Sequence, residues 1–352
     1  FQKFIETRLE KTMLSVGSTK GSVVVLNPKN GEVYALVSLP TFDNNLFAQG
    51  IEEDTYQKLA DDPDLPLFFR AVAGEFPSGS TFKPFVAYAA LVEKVISENT
   101  SFLSTGGIRI NEWFFPDWKA GGHGITDVRK ALAESVNTFF YIIGGGYDQM
   151  NGLGVDRITD YARRFGFGKP TGIDLPSEAD GFLPSKKWKE EEKGERWYVG
   201  DTYHLAIGQG DLLTTPLQMA HATGVIANNG LDVMPHVVKK INDVQNETSS
   251  KTLESLDSYA LSVVRQGMRR TVIDGSARSL SGLPVSVAGK TGTAQAPGHD
   301  KYHSWFTGFA PYEDSEIAIA IIIEDGGEST DAAVPLAKEI LYWWFTERKT
   351  GL

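Results

Sequence analysis

A serine and a lysine three residues apart are the first feature of this sequence that could do chemistry. In the stretch EFPSGSTFKPFVAYAAL (75–91), turn-forming residues precede an apolar run, so Ser80 is predicted to open a helix with Lys83 nearly one turn later. At this spacing the Ser80 hydroxyl and the Lys83 amine can lie on the same side of the helix, within hydrogen-bonding reach. A serine beside an amine is a candidate nucleophile beside its general base.

The simpler alternative is that Ser80 only caps the helix and that Lys83 is a solvated surface group. Two features argue against it: Lys83 is the only lysine with a serine three residues earlier, and its neighbours, such as Phe82 and Phe85, are apolar. To act as a base near neutral pH, a lysine needs its pKa lowered by roughly 3 units, at a cost of about 4 kcal/mol. Because total stability is only roughly 5–15 kcal/mol, such a lysine is expected mainly where chemistry needs it.

Two further short patterns complete an ordered set. Ser135-Val136-Asn137 lies between two predicted helices, in a loop predicted to point two polar side chains into a cleft, and Lys290-Thr291-Gly292-Thr293 lies in a predicted strand. Each pattern is weak alone, since a second Ser-x-Asn occurs at 97–99 and a second Lys-Thr-Gly at 349–351. We interpret these second copies as accidental. What is specific is the order: Ser-x-x-Lys opening a helix, Ser-x-Asn on a loop, and Lys-Thr-Gly on a late strand.

The elements that must position these patterns follow from residue spacing. Apolar residues at helical spacing predict an amphipathic helix at 1–15, and two β-branched runs around Asn30-Gly31 predict a hairpin. From 75 to about 229 the pattern is mostly helical, and strand patterns then return. The run 316–324 is apolar on both faces, which predicts one sheet, built from strands near both termini, with helices over both faces. The other C-terminal elements are predicted at 285–294 and 304–310 (strands) and 334–345 (helix).

Composition limits the classes of function. The chain has 352 residues, 41% of them hydrophobic and 22% charged, enough for one large domain or two closely joined lobes. Its formal net charge of -11, without a Lys/Arg-rich block, argues against nucleic-acid binding. The sequence has no cysteine, which excludes disulfides, thiol catalysis and thiolate zinc sites. No apolar run approaches the roughly 18–20 residues of a membrane span, and the start at Phe1 leads us to expect a fragment that lacks an anchor or an extra domain.

The ordered trio is the combination found in penicillin-binding proteins and class A β-lactamases. Over almost its whole length the chain resembles the transpeptidase domain of a class B penicillin-binding protein. Within that class it is most similar to the elongation-type group, penicillin-binding protein 2, since division-type members more often read Ser-Ser-Asn at the second motif. The stretches that carry the class resemblance are Gly31 to Ala35, Pro66-Leu67, Arg70-Ala71, Gly208 to Gly210, Thr215 to Gln218, Trp305-Phe306 and Gly308 to Pro311; those that carry the group are Phe115 to Lys119, Gly122 to Gly124 and Ser135 to Tyr141.

The resemblance implies an α/β fold of the penicillin-binding protein and serine β-lactamase type. A mainly antiparallel sheet flanked by helices would form one lobe, from residues 1–74 and 256–352. An inserted, mostly helical lobe would span about 75–255, with the active site between the two lobes of a single transpeptidase domain. An N-terminal anchor and a non-catalytic domain are expected to be absent from this fragment.

The resemblance also implies roles for residues of the three motifs. Ser80 would attack the carbonyl of a D-Ala-D-Ala stem peptide, with Lys83 accepting its proton. The backbone N–H groups of Ser80 and Thr293 would hold the oxyanion, each such donor typically giving ~10²–10³ in rate. Ser135 and Lys290 would pass a proton to the departing D-alanine and from the incoming amine. The substrate would be bound by Asn137 at its amide, by the Thr291 and Thr293 hydroxyls at its terminal carboxylate, and along Gly292, which leaves the cleft edge free of a side chain.

Several alternatives stay open at this point. A class A β-lactamase uses a glutamate in a Glu-x-x-Leu-Asn loop to hydrolyse its acyl-enzyme, and that pattern is absent here, which favours a long-lived acyl-enzyme that waits for an amine. A D,D-carboxypeptidase fits the trio equally well, because the motifs do not show whether the acceptor is water or an amine. A non-catalytic β-lactam receptor is the alternative of another class. An ordinary serine hydrolase is disfavoured because the chain has no Gly-x-Ser-x-Gly elbow and no histidine in a triad context. A simpler alternative for Asn137 and Thr291 is that their side chains only make hydrogen bonds within their own loop and strand.

Asp117 and His123 are candidate metal ligands, since they lie six residues apart in a glycine-rich loop. Some members of the resembled group place a metal near this point. Because no cysteine ligand is available, we predict no metal here and interpret His123 as a residue that packs the loop. No cofactor is expected.

The resemblance finally implies partners and location. The protein would bind peptidoglycan stem peptides and β-lactam antibiotics. Its full-length form would work with a membrane glycan polymerase and elongation scaffold proteins. It would lie outside the cytoplasm, in the periplasm or on the outer face of the cytoplasmic membrane, held by one N-terminal membrane helix.

Overall fold

A computed structural model describes residues 1–245, 250–252, 256–296 and 300–348. Short 3-10 helices lie at Asn44–Phe47, Gly79–Phe82 and Arg278–Gly282. The helices are α1 (Gln2–Ser15), α2 (Glu53–Ala60), α3 (Arg70–Ala73), α4 (Lys83–Val92), α5 (Val128–Ala133), α6 (Asn137–Gly145), α7 (Gly154–Arg164), α8 (Lys186–Lys193), α9 (Val199–Ala206), α10 (Pro216–Ala227), α11 (Ser258–Ile273) and α12 (Ala333–Thr346). The strands are β1 (Gly21–Leu26), β2 (Val33–Leu39), β3 (Ser101–Ser104), β4 (Gly107–Ile110), β5 (Trp113–Pro116), β6 (Gly124–Asp127), β7 (Leu231–Val233), β8 (Lys240–Ile241), β9 (Val244–Gln245), β10 (Ser250–Thr252), β11 (Ala288–Gln295), β12 (Tyr302–Ala310) and β13 (Ile317–Ile323).

Strands from both ends of the chain form one antiparallel sheet, as the sequence predicts. The strand order is β11-β12-β13-β1-β2, with β1 paired to β13 on one side and to β2 on the other. The hairpin between β1 and β2 turns at Gly31, whose φ of +79° is favourable only for glycine. A Cβ at this position would lie 2.2 Å from the Met234 carbonyl oxygen, so the close approach also requires glycine. The order leaves β11 at one edge of the sheet, and an edge strand can pair with an extended ligand.

Helices cover both faces of this sheet, which explains why β13 is buried along its whole length. On one face, α1 and α12 pack side by side, and α1 contributes Ile5, Leu9 and Met13 at a spacing of four residues. On the other face lies a larger core that joins the sheet to α4, α5, α6, α7, α10 and α11. The predicted α/β architecture with an antiparallel sheet and flanking helices is confirmed.

The central helix of the larger core is α4, buried from Lys83 through Ala90. Helix α10 begins as predicted, with Thr215 as its N-cap and Pro216 as its first residue. The side chains of Thr215 and Gln218 form a capping box around this start. Although α10 falls inside the predicted helical lobe, it packs directly on β1, β12 and β13. The division into lobes at 74 and 255 stays a prediction.

The structure differs from the sequence prediction in the segment 101–127, which lies within the region predicted to be mostly helical. It forms two small antiparallel pairs, β3 with β6 and β4 with β5. Strands of four residues are too short to show a period of two, and the glycines between them break any helical pattern. The segment between β2 and the turn that carries Ser80 contains two helices, α2 and α3. Within the described ranges, no helix combines the length and the apolar character needed to cross a bilayer.

Candidate active site

The turn that carries Ser80 is held from two sides. It is a 3-10 turn at Gly79–Phe82 that leads into α4. Gly79 N–H donates to the Gly208 carbonyl at 2.8 Å, and a Cβ on Gly208 would lie 2.0 Å from the Gly79 carbonyl oxygen, so this approach requires glycine. On the other side, Trp305 Nε1 on β12 donates to the Pro77 carbonyl at 3.0 Å. Ser80 is thereby fixed at the edge of a cleft, where it remains half-buried.

Lys83 lies beneath the cleft and is fully buried. Its Nζ donates to the Ser135 carbonyl at 2.8 Å and to Asn137 Oδ1 at 2.6 Å, and it lies 5.2 Å from the centre of the Phe140 ring. Burial among apolar neighbours lowers the pKa of Lys83 to about 7, although the charge of Asp117 opposes the shift. At neutral pH a substantial share of Lys83 is therefore the free amine, the form that can accept a proton.

The contacts of Lys83 differ in one respect from the sequence prediction. Its amine is bound to the second motif, including Ser135 Oγ at 3.3 Å, and no hydrogen bond joins it to Ser80 within the described part of the chain. Ser135 has a φ of +58°, an uncommon conformation for a residue other than glycine. This conformation places its carbonyl and its hydroxyl on the same amine. Ser135 therefore links Lys83 to the cleft, together with Asn137.

A buried carboxylate, Asp117, holds the second motif in place. It accepts hydrogen bonds from Asn137 N–H at 3.0 Å, from Thr138 N–H at 2.9 Å and from the Thr138 hydroxyl at 2.8 Å. Burial alone would raise the pKa of Asp117, but the Thr138 hydrogen bonds and the charge of Lys83 outweigh it, so the pKa is lowered. A charged group thus fixes the first residues of α6, which include Asn137. No sequence pattern indicates this role, because Asp117 lies 20 residues before Asn137 and the contact forms only in the folded chain.

Lys290, on the edge strand β11, is also fully buried. Its Nζ donates to the Thr291 carbonyl at 3.0 Å. Burial, and then the nearby Lys83 amine, lower the pKa of Lys290 well below its usual value. Two amines therefore share one buried region, and repulsion between like charges disfavours the doubly protonated state.

Both threonines of the third motif contact other protein side chains. Thr291 Oγ1 lies 2.6 Å from the Ser276 hydroxyl, and the Thr293 hydroxyl donates to Glu328 Oε2 at 3.0 Å. Both threonines line the cleft, as do Ser276 and Glu328. The hydroxyls predicted to hold a substrate carboxylate are thus at the cleft and already paired with protein groups.

The structure gives a reason for glycine at position 292 that differs from the one inferred from the sequence. A Cβ there would lie 2.9 Å from Thr81 Cγ2 and 3.0 Å from the Ser78 carbonyl oxygen, and 3.1 Å from Trp305 Cβ. Its missing side chain therefore lets β11 pack against the turn that carries Ser80. Glycine at this position brings the nucleophile and the strand edge together, and any role in substrate binding stays a prediction.

These elements enclose a cleft of about 580 Å³. Ser80, Ser135, Asn137, Thr291 and Thr293 line it, with Lys83 and Lys290 buried beneath. The Ser97 to Asn99 copy lies in the loop after α4, outside this lining, and the Lys349 to Gly351 copy lies outside the described residues. Of the remaining lining residues, Trp118 and Gln209 lie in stretches that carry the family resemblance. Sequence reasoning missed the others, because they come from separate segments and form no recognisable motif: Ile207, Ser276, Tyr302 and the consecutive Glu328, Ser329 and Thr330.

His123 is packed in the loop beside Asp117. Its Nδ1 lies 2.7 Å from Glu134 Oε2, and its Nε2 lies 3.6 Å from Asp117 Oδ1. In the described parts of the chain, no group of three or more His, Asp or Glu side chains is placed to hold a metal ion. Since structural zinc takes four ligands and Asp117 is occupied by backbone donors, these residues do not fit zinc. That the protein uses no metal stays a prediction.

Comparisons with known proteins place the chain in a family. Residues 21–342 match the family model described as the penicillin binding protein transpeptidase domain. The chain is 37% identical over 358 residues to a Haemophilus influenzae protein named peptidoglycan D,D-transpeptidase MrdA, covering 94% of this chain and 53% of that protein. The chain thus spans about half the length of the curated relatives it matches.

Two solved structures have the same fold. The crystal structure of Pseudomonas aeruginosa PBP2 in complex with WCK 5153 gives a TM-score of 0.84 at 32% identity, covering 97% of this chain and 77% of that chain. A complex between PBP2 and MreC from Helicobacter pylori gives a TM-score of 0.85 at 34% identity, covering 98% of this chain and 63% of that chain.

Proposed function

This chain belongs to the penicillin-binding protein transpeptidase family, and we propose that it is a peptidoglycan D,D-transpeptidase that cross-links stem peptides through an acyl-enzyme on Ser80. One observation carries the proposal. A single cleft brings the nucleophile candidate together with Ser135, Asn137, Thr291 and Thr293, although these residues come from three distant parts of the chain. Two buried amines with lowered pKa values lie directly beneath it.

In the first half-reaction, Ser80 Oγ bonds to the carbonyl carbon of the penultimate D-alanine. The proton of Ser80 passes to the free amine of Lys83, either directly or through the Ser135 hydroxyl, which lies 3.3 Å from Lys83 Nζ. The backbone N–H groups of Ser80 and Thr293 stabilise the negative oxygen of the tetrahedral intermediate. The C–N bond to the last D-alanine then breaks, and its nitrogen receives a proton through Ser135 and the two buried amines.

In the second half-reaction, an amine of a neighbouring stem attacks the acyl carbon and the ester bond to Ser80 breaks. One proton of the amine returns to the Ser80 oxygen by the same route. Asn137, Thr291 and Thr293 position the donor peptide in the cleft, Asn137 through its amide and the threonines through their hydroxyls. The same acylation step accounts for reaction with β-lactams, whose ring amide takes the place of the peptide bond.

The proposal extends to the whole protein from which the chain comes. The solved complex of a similar PBP2 with MreC supports an elongation role with a scaffold partner of that kind. We propose that the full-length protein is anchored in the cytoplasmic membrane, with this domain on the outer side. There it would work with a glycan polymerase.

The test that separates transferase from carboxypeptidase is an exchange assay. We expect the protein, given a D-Ala-D-Ala peptide or thioester together with a D-amino acid, to form the exchanged peptide, which mass spectrometry detects. The reason is that the sequence lacks the Glu-x-x-Leu-Asn loop with which a class A β-lactamase activates water, which favours an acyl-enzyme that waits for an amine. Release of D-alanine without any exchanged peptide would instead assign the domain as a carboxypeptidase.

A second prediction concerns Asp117. Its charge raises the pKa of Lys83 against the effect of burial, so replacement by asparagine should lower that pKa further. We expect the pH at which β-lactam acylation is half-maximal to fall by about one unit in D117N, with a lower plateau rate at high pH because α6 is held less firmly. Stopped-flow acylation across pH measures both effects.

The matched control is Asp160→Asn, which removes an exposed carboxylate paired with Arg163 on α7, away from the cleft. D160N should keep the wild-type pH profile. If D117N lowers the rate without moving the midpoint, Asp117 only supports the structure and does not influence Lys83.

A further inference from the structure

The mouth of the cleft carries one carboxylate that the three motifs do not account for. Glu328 lies in the loop between β13 and α12, is exposed, and accepts the hydrogen bond from Thr293. Among the described residues that line the cleft, it is the one with a carboxyl group; the others are serines, threonines, amides, aromatics and an isoleucine. The buried amines beneath offer little compensation, because burial lowers the pKa of both.

This contact conflicts with the binding of a donor carboxylate. A hydroxyl has one proton, so Thr293 cannot donate to Glu328 and to the substrate's terminal carboxylate at the same time. Two carboxylates on the same threonine would also repel each other. Glu328 therefore opposes an anion at this end of the cleft, and it would attract a cation.

The second half-reaction brings such a cation. Resting on the proposed transpeptidase function, we infer that Glu328 is a specificity residue for the acceptor, whose carboxylate draws the protonated amine of the incoming stem peptide to the acyl-enzyme. When D-alanine leaves with its carboxylate, the Thr293 hydroxyl again donates to Glu328. The negative charge of Glu328 then lies where the incoming amine must bind. The amine loses its extra proton to solvent before it attacks, so Glu328 positions the acceptor and takes no part in the bond changes.

The experiment measures how the acyl-enzyme divides between an amine and water. A thioester donor acylates wild type, Glu328→Gln and Asp331→Asn, and the ratio of transfer to hydrolysis is determined by mass spectrometry. D331N removes a carboxylate from the same loop, three residues away and outside the cleft lining, and so serves as the matched control. Two acceptors are compared: D-alanine amide, which is a cation near neutral pH and has no carboxylate, and hydroxylamine, which is uncharged.

For D-alanine amide, we expect E328Q to lower the transfer ratio about two- to fivefold, the range for one partly exposed charge contact. The ratio for hydroxylamine should not change, and D331N should behave as wild type with both acceptors. The effect on D-alanine amide should shrink as salt is added, because salt screens exposed charges. Acylation of E328Q by a carboxylate-bearing β-lactam should be at least as fast as that of wild type, which also shows that the variant is folded.

Three results would overturn the inference: an unchanged ratio in E328Q, an equal loss with both acceptors, or an equal loss in D331N. An unchanged ratio in E328Q would show that the Glu328 charge has no role in acceptor binding. An equal loss with both acceptors would mean that Glu328 only supports the structure. An equal loss in D331N would mean that any carboxylate of this loop has the same effect. If wild type formed no acyl-enzyme on Ser80, the proposed function would fail and this inference with it. Normal acylation with an unmoved transfer ratio would reject only the acceptor role of Glu328.

Discussion

Replacing Ser80 by alanine should abolish covalent reaction with β-lactams and with D-Ala-D-Ala peptides. Among the described residues that line the cleft, Ser80 is the hydroxyl that lies in the turn leading into α4. The residue before it, Gly79, packs against the backbone of Thr293, where a donor for the oxyanion is expected. Loss of an activated serine nucleophile lowers the rate on the order of 10⁶-fold. Intact-mass analysis should show one stable adduct in wild type, mapped to Ser80 by peptide digestion, and none in S80A.

The matched control is Ser97→Ala, which alters the second Ser-x-Asn copy outside the cleft and should leave the adduct intact. An adduct that persists in S80A would mean that another residue is the nucleophile. A wild-type adduct that disappears within minutes would point to hydrolysis of the acyl-enzyme, as in a β-lactamase. Either outcome would require a different mechanism from the one proposed here.

Removing the Lys83 amine should have the second largest effect, a loss of about 10²–10⁴ in acylation rate. Methionine at this position keeps much of the side-chain volume but cannot accept a proton, and arginine stays charged at any accessible pH. Because burial lowers the pKa of Lys83 to about 7, the wild-type rate should fall about tenfold for each pH unit below that value and level off above it. The rate falls toward low pH because only the free amine of Lys83 can accept a proton, and protonation removes that form.

Stopped-flow acylation between about pH 5 and pH 9 tests both expectations. K83M and K83R should be slow throughout, whereas Lys94→Met, which changes an exposed lysine just after α4, should match wild type. The apparent pKa will belong to the pair of buried amines, since Lys83 and Lys290 influence each other. A wild-type rate that does not vary across this range would exclude Lys83 as the titrating base.

The local parts of the fold could be predicted because they depend on neighbours in sequence. The hairpin at Gly31, the two-sided burial of β13 and the cap of α10 follow from turn residues, apolar alternation and capping chemistry. The predicted helix start at Ser80 holds to within one 3-10 turn. The short strands between 101 and 127 could not be predicted, since four residues carry too little periodicity.

By itself, the sequence determined which residues could react: a serine and a lysine one turn apart, with two polar motifs in a fixed order. Only the tertiary structure decided how they are joined. It places Lys83 on Ser135 and Asn137, holds Asn137 with Asp117, and pairs Thr293 with Glu328. The physical reason is that spacing along a helix or strand fixes the direction of a side chain, whereas a partner dozens to hundreds of residues away is fixed only when the sheet and helices pack. The buried environment that lowers the pKa of Lys83 is a product of the same packing, and it makes the amine available as a base.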